Sequence, residues 1–265
     1  MDKTIKIGLL SIEISKEKKN TESFYEILFE ECKNNITDKS FDIVLLPERA
    51  ATKKSERQDL DGEIVSIFKK IAIEFKLFLI APIVEKVNDK DYNNQIVISP
   101  EGKLIHTYRK VHLAPGEETT TLPGDNFGVF DLPWFKAGIM TCYDNHFPES
   151  SRCLAIQGAR VIFWPSFGDL KKPHRNIARC IDNDIFLLSA GVVDESCELP
   201  AADFGTSQGI DPLGNELDSI DESSGLFKIV ELPLDATTGK LEKSINDNIY
   251  LGVRQPNAYN PVIDK

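Results

Sequence analysis

The stretch "DGEIVSIFKKIAIEFKLFLIAPIVEK", residues 61–86, changes period partway along. Ile64, Phe68, Ile71 and Phe75 recur at helical spacing, and the run LFLIAPIVEK that follows is almost continuously apolar. A helix that delivers the chain into a buried strand is the repeating unit of α/β proteins, in which helices cover a largely buried sheet. The same unit lies upstream. "IKIGLLSIE" (5–13) reads as a buried strand, and "NTESFYEILFEECKNN" (20–35) as a helix capped by Asn20 or Thr21 with Phe24, Leu28 and Cys32 on one face. "FDIVLLPE" (41–48) reads as a second buried strand, stopped by Pro47 with Glu48 just past its end.

Downstream the pattern is interrupted and then resumes. "NNQIVIS" (93–99), the turn "PEGK" and "LIHTYRK" (104–110) form a hairpin. "FKAGIMTC" (135–142) is a strand leading to a helix around 148–158, "RVIFWPS" (160–166) another strand, and a helix over 174–183 precedes the strand "IFLLSAGVV" (185–193). "GTSQGIDPLGNEL" (205–217) and "GLFKIVEL" (225–232) read as hairpin strands, and the tail 254–265 as extended chain. No linker, repeat or low-complexity segment divides the sequence, so one domain spanning 1–265 is expected.

Composition narrows the function classes. The 265 residues are 41% apolar and 28% charged, enough for a sizeable core. A net charge of -11 has the wrong sign for nucleic acid or an anionic membrane, leaving a small-molecule partner. No apolar run reaches membrane-spanning length, and the N-terminal one is interrupted by Glu13 and Lys16, so a cytoplasmic location is expected. The five cysteines are an odd count without a C-x-x-C pair, which fits reduced thiols. The four histidines show no ligand spacing, so neither a metal nor another cofactor is expected.

In α/β sheets functional groups gather at the carboxyl ends of strands. Glu48, Lys110 and Cys142 each occupy such a place. A free thiol is only about 3% thiolate at neutral pH, so a neighbouring base or cation raises its reactivity. Glu48 suits the base, and Lys110 with a backbone N–H suits the negative oxygen that forms when sulfur attacks a carbonyl. An activated thiolate of this kind would be alkylated selectively at Cys142.

"LLPE" (45–48), "YRKVHL" (108–113) and "CYDNHFPE" (142–149), in that order, resemble the glutamate, lysine and cysteine signatures of the nitrilase superfamily of carbon–nitrogen hydrolases. "LPGD" (122–125), "WPS" (164–166), "RCIDN" (179–183) and "GTSQGIDPLGN" (205–215) are similar to its flanking segments, so the likeness covers nearly the whole chain. The resemblance implies an α-β-β-α sandwich that forms a four-layer assembly in a homodimer or larger homo-oligomer. It implies Glu48, Lys110 and Cys142 as catalytic residues, and a second glutamate before the PGD segment. Glu117 and Glu118 both qualify, spacing favouring Glu117. Tyr143, Asn145, His146 and Glu118 are the substrate-binding candidates.

The implied activity is hydrolysis of a small linear amide or ureide through a cysteine thioester. Alternatives are a nitrilase acting on a small nitrile, and a catalytically idle member serving as a scaffold. Tyr143 and Asp144 after the cysteine follow the pattern of amidases and carbamoyl hydrolases, where nitrilases proper usually carry Trp-Glu or Gly-Glu. The segment "GTSQG" (205–209) matches a serine-hydrolase elbow only formally, since strand residues and no histidine follow it. Cys153, Cys180 and Cys197 lack polar escorts and read as structural. Arg179 and Asn183 read as scaffold, and Trp134 and Trp164 as core or pocket wall.

Overall fold

The structure, a computed structural model, describes residues 4–10, 12–14, 41–48, 59–167, 173–194, 207–218, 227–235, 239–241 and 249–259. The helix expected over 20–35 with Cys32, most of the loop 51–59, the loop 196–204 and Cys197 lie outside the described residues.

Two sheets stack face to face. In the first, the order is β12 (Phe227–Pro233), β1 (Thr4–Leu10), β3 (Ile43–Leu45), β4 (Phe78–Val87), β5 (Lys90–Ile98) and β6 (Leu104–Arg109). In the second, it is β11 (Gln208–Ile210), β10 (Phe186–Asp194), β9 (Val161–Ser166), β8 (Lys136–Ile139) and β7 (Val129–Asp131), with β2 (Ile12–Ile14) pairing the far end of β10. Strands β1, β3 and β4 are parallel, as are β8, β9 and β10, and each sheet ends in antiparallel pairs.

Side-chain alternation builds four layers from this pairing. Ile5, Ile7, Ile43, Leu45, Val97 and Tyr108 of the first sheet meet Ile139, Val161, Phe163 and Leu188 of the second in one central core. The opposite face of the first sheet, with Val44, Leu79 and Ile96, is covered by α1 (Glu63–Phe75) through Ile64, Phe68 and Ile71. The opposite face of the second, with Ile162, Trp164 and Leu187, is covered by α2 (Pro148–Ile156) and α3 (Pro173–Asn183) through Leu154, Ala155 and Cys180. Helix, sheet, sheet, helix is the expected sandwich. Central strands such as β3 and β9 are apolar on both faces because both are covered.

The expected hairpin at 93–110 forms, with Gly102 at φ 76° in its turn. The last two strands do not pair with each other. β11 adds to β10, whereas β12 lies antiparallel to β1 in the other sheet. The sequence of β12 accounts for this: Val230 and Leu232 enter the central core and Ile229 the outer one, so the strand needs a position covered on both sides.

Candidate active site

β3, β6 and β8 carry the three expected groups at their carboxyl ends. β6 is antiparallel to β5 and β5 to β4, so β3 and β6 run the same way and deliver Glu48 and Lys110 to one edge of the sandwich. Gly124 helps fix the lysine. Its N–H donates to the Lys110 carbonyl at 2.8 Å, and a Cβ there would lie 2.2 Å from the Arg109 carbonyl oxygen. Only glycine lets the "LPGD" loop lie this close to the strand end.

Glu48 and Lys110 are each 1% exposed. The Lys110 Nζ donates to Glu48 Oε1 at 2.9 Å and to Glu117 Oε2 at 2.8 Å. Asn93 Nδ2 donates to Glu48 Oε1 at 2.7 Å, and the Phe167 N–H to Glu48 Oε2 at 3.0 Å. Glu117 also accepts from the Ala114 N–H at 2.8 Å. Burial alone would pull the lysine pKa down, but the neighbouring negative charges, above all Glu48 and then Glu117, more than offset it, so the ammonium is held above its ordinary value.

Cys142 opens a 3-10 turn, Cys142–His146, directly after β8. Its φ is 47°, a left-handed conformation costing a non-glycine residue roughly 1–2 kcal/mol. Several contacts hold the turn there. The Trp164 Nε1 donates to the Cys142 carbonyl at 3.0 Å. Asp144, fully buried, accepts from the Thr141 N–H at 2.8 Å, the Tyr108 hydroxyl at 2.6 Å and the His112 N–H at 2.8 Å, with His112 Nδ1 at 2.9 Å. One carboxylate thereby ties the lysine-bearing loop to the cysteine-bearing turn.

Ser166, Glu48 and Lys110 stand around the thiol and act on its proton. Burial first, and then the Glu48 charge, push its pKa up to about 12, against the opposing pull of Lys110 and Ser166. A partly buried sulfur beside a carboxylate keeps its proton, and Glu48 is placed to take it only as the sulfur attacks.

Of the remaining expected residues, Glu117 joins the group and Glu118 does not. Glu118 is exposed and accepts from the Gly116 N–H at 2.7 Å. Tyr143 and His146 lie on the turn with their rings 4.5 Å apart, His146 exposed. Asn145, expected to face substrate, is instead fully buried and donates through Nδ2 to Asn176 of α3 at 2.7 Å, while its carbonyl accepts from Arg179 at 3.1 Å. It links the turn to α3. Arg179 and Asn183 share that layer, Asn183 donating to Ser151 at 3.1 Å.

Sequence reasoning overlooked Asn93, Asp144 and Ser166 as parts of the site. Asn93 does not stand out on its strand, because the row it shares with Val97 also holds Asp91 and Gln95. Among the described residues no group of three His, Cys, Asp or Glu is arranged to hold a metal ion.

A nitrilase of Pyrococcus abyssi is 33% identical over 191 residues, 71% of each chain. An omega-amidase of Xenopus laevis is 32% identical over 173 residues, and the match spans 59% of this chain and 62% of that one, less than two thirds of its length. The crystal structure of Saccharomyces cerevisiae Nit3, a member of branch 10 of the nitrilase superfamily, superposes with a TM-score of 0.74 at 25% identity, covering 89% of this chain and 91% of that one. The family model for carbon–nitrogen hydrolases matches residues 14–238, and the chain belongs to that family.

Proposed function

We propose that this protein is an amidohydrolase that cleaves a small linear amide or ureide through a thioester on Cys142. The observation that carries the reading is the buried cluster in which Lys110 bonds both Glu48 and Glu117, with the Cys142 thiol beside it. Glu48 accepts the thiol proton while sulfur bonds to the carbonyl carbon. The oxygen that gains the electron pair is held by the Lys110 ammonium and the Tyr143 N–H. As the tetrahedral centre collapses, the C–N bond breaks and Glu48 gives its proton to the departing nitrogen, which leaves as ammonia or an amine. Water then loses a proton to Glu48 and attacks the thioester. The acid is released and the thiol is restored. Glu117, bonded to the same ammonium, orients Lys110 and this water. Tyr143 and His146 border the substrate.

The test is ammonia release from a panel of amides, ureides and nitriles, with Cys142→Ala as control. Loss of a nucleophile removes several powers of ten in turnover, so residual activity in Cys142→Ala above about one per cent would sink the covalent route. A nitrile substrate is the second reading, favoured by the likeness to the Pyrococcus abyssi nitrilase. Ammonia from nitriles but not from amides would select it.

The reading takes residues 1–265 as one hydrolase domain acting in the cytoplasm, which the odd, unpaired cysteine count supports. A homodimer or larger homo-oligomer is part of it, supported by the exposed apolar side chains of Ile156 on α2 and Ile181 on α3.

A further inference from the structure

We infer that Trp164 is a positioning residue for the oxyanion site, acting through the single peptide unit that joins Cys142 to Tyr143; this rests on the amidohydrolase reading above. A trans peptide is planar, and its C=O and N–H point in opposite directions from the same rigid plate. The carbonyl of Cys142 accepts from the Trp164 indole N–H at 3.0 Å. Trp164 is 2% exposed and belongs to the core layer behind the second sheet, with Met140, Ile162 and Leu187. Glu48 and Lys110 come from the opposite direction, from strands of the first sheet. Anchoring the carbonyl toward the rear layer therefore turns the Tyr143 N–H of the same plate toward the side where Lys110 stands.

That N–H is free for a ligand by its place in the turn. The first backbone bond into the turn is from the Asp144 N–H to the Thr141 carbonyl at 3.0 Å, so the N–H groups of Cys142 and Tyr143 lie ahead of it, like the unpaired donors at the start of any helix. The left-handed φ of 47° at Cys142 sets the plate at an angle that a non-glycine residue rarely adopts, and an anchor on the carbonyl holds it there. Hydrogen bonding at the carbonyl also polarises the plate, which makes the N–H on its other edge a stronger donor. Packing alone would need only the indole ring. The nitrogen proton has this separate use.

The experiment replaces Trp164 by Phe, and separately by 3-benzothienylalanine, which keeps the indole shape and substitutes sulfur for the N–H. Each variant is assayed for kcat and KM on an amide that the parent hydrolyses, and for the rate at which methyl methanethiosulfonate modifies Cys142. That reagent reacts with the thiol without developing charge on a carbonyl oxygen. Loss of one oxyanion donor costs about 100- to 1,000-fold in kcat, and misorienting rather than deleting it should cost about tenfold or more. The expected result is that fall in kcat in both variants, KM within about threefold, and an unchanged rate of thiol modification. A benzothienylalanine variant with the parent's kcat overturns the proposal. So does a parallel fall in thiol modification, which would show that Trp164 serves only to seat the nucleophile. A parent protein modified at Cys142 but inert toward every amide overturns the amidohydrolase reading itself, and with it this one.

Discussion

The hydroxyl of Tyr108 donates to the carboxylate of Asp144 at 2.6 Å, although 36 residues separate them and Tyr108 lies on β6 of the first sheet whereas Asp144 lies on the turn that follows β8 of the second. Asp144 lies two residues beyond the nucleophile and Tyr108 two residues before the lysine, so this bond sets the spacing between thiol and ammonium. Burial first, and then the Asp144 charge, raise the Tyr108 pKa well above its ordinary value, so the phenol keeps the proton it donates. Tyr108→Phe removes one hydrogen bond to a charged group, worth about 1.5–3 kcal/mol. The expected outcome is a fall in melting temperature of several degrees together with a loss of kcat, measured by thermal unfolding and steady-state assay. Lower stability with the parent's kcat would mean that the bond holds the sheets together without tuning the site.

Glu48→Gln separates the two effects of the carboxylate on the thiol. As a base Glu48 is needed for turnover, yet as an anion it is one of the causes that push the Cys142 pKa up to about 12. The variant should lose turnover by several powers of ten. Its Cys142 should nonetheless be alkylated by iodoacetamide faster than the parent's at pH 8, by about tenfold for each unit that the pKa falls. Peptide mass analysis reads the site and rate. Alkylation that falls together with turnover would mean that Glu48 holds a thiolate in the resting protein.

The same raised pKa makes stability depend on pH at the alkaline end. The unfolded thiol loses its proton near 9.0, whereas the folded one keeps it up to about 12. Between those values the native state binds more protons, so stability falls as pH rises. The contribution is fully present below pH 9 and disappears as pH passes through 12. Chemical unfolding of the parent and of Cys142→Ala at pH 8 and pH 11 should show the smaller loss in the variant. Equal losses would place the folded thiol at its ordinary value.

Glu48, Lys110 and Cys142 stood out in the sequence as groups just past strand patterns, where functional groups gather. The α/β class was legible too, since runs apolar on both faces require covers on both sides, whereas the two-sheet sandwich came from the resemblance to the nitrilase superfamily. Contacts across the fold were not. Asn93 reaches Glu48 over a separation of 45 residues and the Phe167 N–H reaches it over 119, and no local pattern announces either pairing. The thiol pKa was not legible for the same reason: the cation that lowers it is visible in sequence, and the burial that raises it is not. Trp164 read as core or pocket wall, and by burial it is core. Its indole N–H matters only because the cysteine turn brings a carbonyl within 3.0 Å.

Lys110→Met tests whether the ammonium is a transition-state group. The side chain is buried between two carboxylates, so the variant leaves Glu48 and Glu117 without their shared counter-ion. Removing one partner of a buried ion pair costs about 3–5 kcal/mol of stability, so assays are run where the variant remains folded. Charge on the carbonyl oxygen appears mainly in the transition state, and kcat should therefore fall far more than KM rises. Lys110→Arg should not restore it, because the larger planar guanidinium cannot occupy the point between two oxygens at 2.8 and 2.9 Å. A change confined to KM would make Lys110 a ligand for a substrate carboxylate.

The charge of the preferred substrate follows from what surrounds the thiol. Members of the family that hydrolyse N-carbamoyl amino acids commonly carry arginine at the two positions after the acidic residue of the cysteine motif. Here those positions hold Asn145, which is buried and bonded to Asn176, and His146, which is exposed. Neither supplies a fixed positive fork for a carboxylate, and among the described residues the ammonium at the centre, Lys110, is already shared by Glu48 and Glu117. With two carboxylates against one ammonium, the cluster repels an anion and suits a neutral or cationic amide. A carboxylate bound without its arginine forgoes a hydrogen bond of about 1.5–3 kcal/mol, which is roughly one to two powers of ten in kcat/KM. The measurement is kcat/KM for a matched pair, an amide bearing a free carboxylate and the same molecule with that group as a carboxamide. The carboxamide should be favoured by about tenfold or more, and the gap should narrow in high salt as charges are screened. Equal values, or a preference for the acid, would show that a cation from another part of the chain completes the substrate site, and would overturn this reading of its charge.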